Sequence, residues 1–100
     1  MAVKLLMTWD ILPGREQEYF EFVVRDFIPG VQRLGLETSD AWFTMYGEQP
    51  QIMAAFQSST IATLQSVLAS PDWDDLTHQL LDYVEDLKYK IVQARGGFQL

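Results

Sequence analysis

The hydrophobic period of this chain switches from two to about 3.6 and back again, twice, and that alternation restricts its fold more than any other feature. Val3, Leu5, Met7, Trp9 and Ile11 alternate with Lys4, Leu6, Thr8 and Asp10, the pattern of a strand, until Pro13-Gly14 breaks it. From Arg15 the spacing is helical. Phe20, Val23, Val24, Phe27, Val31 and Leu34 fall in one stripe at about 100° per residue, with Phe22 on the opposite side. Glu16, Glu18 and Glu21 suit the positive end of a helix dipole. Pro29-Gly30 is expected to kink or restart this helix, and Gly35 to stop it.

Residues 36–47 and 51–57 (QIMAAFQ) read as strands joined by the turn formers Gly47 to Pro50, so 36–57 is expected to be a β-hairpin. Ser58-Ser59-Thr60 caps a helix carrying Ile61, Leu64, Val67 and Leu68. Ser70-Pro71 starts a further one, a serine N-cap with proline in the first helical position. Its apolar positions run Trp73, Leu76, Leu80, Val84 and Leu87, and 88–94 (KYKIVQA) reads as the last strand, ahead of Gly96-Gly97. The order is β-α-β-β-α-β over a single domain, 1–100, which predicts an α+β, ferredoxin-like four-stranded antiparallel sheet. In that plan the first and third strands are central. Glu37, Ser39 and Asp40 on the second, and Lys88 and Lys90 on the fourth, suit exposed edges.

Two helices cover one face of such a sheet. Both faces nevertheless carry apolar residues: Trp42 and Tyr46 oppose Phe43 and Met45, Ile52 and Phe56 oppose Met53 and Ala55, and Leu6 opposes Leu5 and Met7. An uncovered face of that kind marks a partner surface, and two sheets packed face to face as a homodimeric barrel is the simplest partner.

Composition narrows the function classes. With 7 Lys+Arg against 14 Asp+Glu, the formal charge of −7 argues against nucleic acid and against anionic membranes. The absence of cysteine excludes disulfides, thiolate nucleophiles and Cys-ligated metal. The opening MAVKLLMTWD is too soon acidic for a signal peptide, and a cytoplasmic location is the expectation.

The strand leading to ILPGREQEYFEFV, the hairpin 36–57 and LASPDWDDLTHQL together resemble the dimeric α+β barrel superfamily. That group includes antibiotic-biosynthesis monooxygenases, small haem-degrading monooxygenases, NIPSNAP-like proteins and stress-responsive barrel proteins. These segments are architectural, and fold analogy alone does not carry an activity across.

The resemblance makes His78, the only histidine, a candidate, because haem-degrading relatives ligate iron from a similar helix position. Those relatives also use an asparagine on the first strand, and this chain contains none; Thr8 and Asp10 stand there instead. His78 lies about 140° around the helix from Trp73, among Asp74, Asp75 and Asp82, where a solvated imidazole is the ordinary outcome. Asp72, Asp74 and Asp75 lack calcium-loop spacing and sit where a helix dipole already accounts for them. No metal and no cofactor is therefore expected.

Trp9, Trp42, Tyr46, Phe56 and Trp73 are the candidate ligand-binding set, expected to converge on a cavity between sheet and helices with Thr8, Asp10 and Thr44 as polar neighbours. Relatives hold flat aromatic substrates in such a cavity, whereas aromatics at these spacings also build ordinary cores. His78 and Asp10 are the candidate catalytic groups. Three functions stay open: a small-molecule binding or accessory protein, a cofactor-independent monooxygenase-like enzyme acting on an aromatic small molecule, and a haem-degrading monooxygenase.

Overall fold

Alternation in the first strand is realised as burial. In β1 (Val3–Ile11) the odd residues Val3, Leu5, Met7, Trp9 and Ile11 are all buried beneath the helices. The computed structural model describes residues 2–43 and 52–93, and the side chains of all of these except 40–43. After β1 come α1 (Glu16–Phe22), a π-helical turn (Val23–Phe27), α2 (Ile28–Arg33), β2 (Glu37–Phe43), β3 (Ile52–Ser58), α3 (Ile61–Leu68), α4 (Pro71–Leu80) and β4 (Val84–Gln93). The strands form one antiparallel sheet in the order β2-β3-β1-β4, so β1 and β3 are central as the charge pattern required. The turn expected at 47–50 lies outside the described residues.

The first helix departs from its expected register. Tyr19, Phe22, Phe27 and Val31 are buried, whereas Phe20 is 47% and Val24 72% exposed. The cause is the π turn, in which the Ile28 N–H reaches back five residues to the Val23 carbonyl. That turn adds one residue to the helical circuit, so the inward stripe steps from Phe22 to Phe27. Uniform counting at 3.6 residues per turn puts the upstream stripe one residue out. Pro29 supplies the local reason: it has no N–H to give, and its ring crowds the carbonyl four residues earlier, which a wider turn relieves. Instead of lying on the polar side, Phe22 stacks on Tyr83 at 5.1 Å and meets Phe27 at 6.1 Å.

The second boundary that moves is at residue 80. α4 ends at Leu80, and Val84 and Leu87 belong to β4, which begins four residues before the expected 88. No glycine or proline punctuates this junction. The Tyr83 N–H bonds the Leu80 carbonyl, and the Leu12 N–H bonds the Tyr83 carbonyl, tying the turn to the end of β1. β4 then carries a bulge opposite Trp9, where Asp86 adopts a left-handed φ of 55°. Aspartate tolerates that region better than most side chains.

The caps follow the sequence. Thr60 Oγ1 accepts the Thr63 N–H at 3.1 Å, and Ser70 Oγ accepts the Trp73 N–H at 3.2 Å. Gly30 lets α2 approach α4 closely, since a Cβ there would stand 2.8 Å from Leu76 Cδ1. Gly35, at φ 105°, closes α2 in the left-handed region.

Candidate functional site

Aromatic rings fill the space between sheet and helices. The Trp9 indole lies 6.1 Å from Phe27, which lies 6.2 Å from Phe56, both edge to face. The Trp9 Nε1–H donates to the Tyr19 hydroxyl at 2.8 Å. Burial pushes the Tyr19 pKa up to about 12, with the indole hydrogen bond pulling the other way. Trp73 is buried in the same cluster from α4. Trp9, Phe56 and Trp73 are thus brought together as parts of one packed core. Tyr46 lies outside the described residues, as does the side chain of Trp42.

His78 is exposed on α4 and its Nδ1 lies 2.9 Å from the Asp74 carbonyl. Asp72, Asp74 and Asp75 are exposed in the opening turns of the same helix. Among the described residues, no three His, Cys, Asp or Glu side chains gather in a way that could hold a metal ion.

A concavity lies on the other side of the sheet, which no helix covers among the described residues. An open cleft of about 500 Å³ is lined by Leu6, Thr8 and Asp10 of β1, Met53 of β3, and Asp86, Lys88, Tyr89 and Lys90 of β4, Tyr89 being the one that pairs with the buried Met7. Strand register explains the set. Thr8 pairs with both Met53 and Lys88, and Leu6 with Ala55 and Lys90, so these side chains share the face opposite the buried odd residues of β1. Its apolar surface comes from Leu6 and Met53. Lysines flank that surface on β4, and Asp10 and Asp86 close one end. Asp10 is only 6% exposed although it lies on this face. The sequence reading made Thr8 and Asp10 polar neighbours of the aromatic set between sheet and helices; the period of two instead turns them to the opposite face from Trp9, Phe56 and Trp73. The same reading missed Lys88 and Lys90, which read as edge protection, although their even spacing with Leu6 and Thr8 across the ladder was the available signal.

With this geometry in view, the chain is a ferredoxin-like α+β domain, and NIPSNAP-domain proteins share its fold. A NIPSNAP-like domain protein from Burkholderia xenovorans superposes with a TM-score of 0.72, at 13% identity over 99% of this chain and 90% of that one. A NIPSNAP family protein of unknown function from Agrobacterium tumefaciens gives 0.67 at 20% identity, over 96% and 91%. A dimeric protein of unknown function from Bacteroides fragilis, with a ferredoxin-like fold, gives 0.65 at 13% identity, over 93% and 96%. No protein-family profile matches the chain, and no curated protein matches it in sequence. The expected resemblance therefore holds at the level of fold. Among the described residues, no helix is long and apolar enough to cross a membrane.

Proposed function

We propose that this protein is a small-molecule-binding homodimer, in which two copies lay their open sheet faces together and the cleft on each face holds an apolar ligand. The observation that carries this reading is the cleft itself: a concavity of ligand size on a face with apolar surface and, among the described residues, no helix over it. A second copy is the favoured cover because a face-to-face two-fold closes on itself, and because a protein of the same fold is described as dimeric. The buried aromatics Trp9, Phe56 and Trp73 then support the site from below as the packed floor of the sheet. Native mass spectrometry tests both parts. Two chains per particle, with added mass from the source or after adding naphthoate, is the expected result. A particle of one chain overturns the dimer, and a bare particle that takes up no apolar probe overturns the binding site.

A second reading is favoured by Asp10, a carboxylate in the cleft wall with little exposure. A group so placed can exchange a proton with a bound ligand, as a cofactor-independent oxygenase-like enzyme acting on an aromatic small molecule requires. In that case Asp10→Asn abolishes oxygen uptake with naphthol-type substrates while leaving their binding intact. If wild-type protein consumes no oxygen across such a set, the binding role stands alone.

A further inference from the structure

All three lysines of the chain, Lys4, Lys88 and Lys90, occupy even ladder positions on the open face of the sheet. In a protein of net charge −7 this is a sorted arrangement, because the described arginines, Arg15, Arg25 and Arg33, precede or lie on the first helices. Edge protection does not account for it. Lys4 stands on β1, a central strand with a hydrogen-bonded neighbour on each side. Lys88 and Lys90 line the cleft, and among the described residues neither forms an ion pair. The two are separated by one residue on β4, so their side chains leave the same face about 7 Å apart. Across the ladder Thr8 stands between Lys88 and Met53, and Leu6 lies directly beside Lys90.

We propose that the ligand of this cleft is an organic monoacid: an apolar body lying over Leu6 and Met53, with its single carboxylate between the Lys88 and Lys90 ammonium groups. This deepens the small-molecule reading and rests on it. The polarity of the cleft sets the orientation. Asp10 and Asp86 line the end away from Lys90, so the acid group is repelled from that end and held at the lysines, while the uncharged body crosses the ladder over Leu6 and Met53. With both lysines taken by the first, a second acid group would find only carboxylates among the charged residues that line the cleft, which selects for monoacids. Thr8 can donate its hydroxyl hydrogen to the bound carboxylate.

Naphthoate and its uncharged isostere naphthamide, titrated against the full chain by calorimetry, test the inference. Naphthoate is expected to bind about tenfold more tightly than the amide, the size of two partly exposed charge pairs acting together. In Lys88→Gln/Lys90→Gln the acid falls to the affinity of the amide and the amide is unchanged, while Lys88→Arg/Lys90→Arg keeps the preference. Equal affinity of the two probes for wild type, or a preference that survives in the glutamine variant, overturns the monoacid assignment and leaves the binding reading standing. Failure of both probes overturns the binding reading itself, and the assignment with it. Wild-type protein gives a readout that needs no variant: added salt weakens naphthoate and spares naphthamide, whereas salt-independent naphthoate binding overturns the charge recognition.

Discussion

The two faces of the sheet are made by the same strands and differ in what the alternate residues are asked to do. On the helix side, β1 contributes Val3, Leu5, Met7, Trp9 and Ile11, each buried, with the Trp9, Phe27 and Phe56 rings packed edge to face. On the open side it contributes Lys4, Leu6, Thr8 and Asp10, which line or border a cleft and mix charge with apolar surface. One face therefore carries the stability of the fold, and the other is free to carry recognition. Residues one position apart in sequence should fail in different ways.

The largest contrast is between neighbours. Trp9→Ala should cost about 3–5 kcal/mol of folding stability through the cavity it opens. Thr8→Ala, on the other face, should cost less than about 1 kcal/mol. Urea unfolding of the two variants checks this; similar losses would mean that the open face also holds the monomer together.

A second pair sharpens the same contrast within the first helix. Phe22→Ala should cost about 3 kcal/mol, because its ring is stacked on Tyr83 and packed on Phe27. Phe20→Ala should cost less than about 1 kcal/mol. The opposite ranking would sink the π turn and restore a regular helix.

The smallest of the three effects is set by pH. Tyr19 ionises at about 12 in the folded chain, against 10.0 for an unperturbed tyrosine. Below pH 10 both folded and unfolded states keep the proton and the contribution is complete. As pH rises from 10 toward 12 the unfolded state loses its proton first, so stability falls, by up to roughly 2–3 kcal/mol. Tyr19→Phe lacks this loss, though at neutral pH it costs about 1 kcal/mol because the Trp9 indole is left without its acceptor. The stability advantage of wild type over the variant should therefore vanish and then reverse across that range; a constant difference would show that the hydroxyl is not buried as described.

The order of elements, the central and edge strands and the helix caps at Thr60 and Ser70 were legible because each rests on a local rule: a period, a charged edge, a hydroxyl before a helix. The stripe on the first helix was misjudged for a reason equally physical. Pro29 announces a disturbance, but the number of residues it displaces depends on how the backbone relieves the clash. The end of α4 was hidden because Leu80, Val84 and Leu87 satisfy a helical spacing as well as they satisfy a turn followed by a bulged strand. The cleft itself was not visible, because the aromatics drew the expected cavity to the helix side of the sheet. Thr8 and Asp10 stood out as polar residues on an apolar strand, but Lys88 and Lys90 acquire their meaning from ladder register, which pairs them with Thr8 and Leu6 from the far end of the chain.

Both outer strands carry an irregularity in register. β2 shifts between Thr38 and Asp40, where the Ser39 hydroxyl donates to the Ala55 carbonyl at 3.2 Å, and β4 shifts around Asp86. A strand bent in this way offers an incoming chain a broken row of donors and acceptors, so the sheet resists extension at either end. Growth by edge addition, the route to fibres, is obstructed on both sides. The face-to-face pairing proposed above would differ in kind, because an assembly built on one self-complementary face stops once that face is covered.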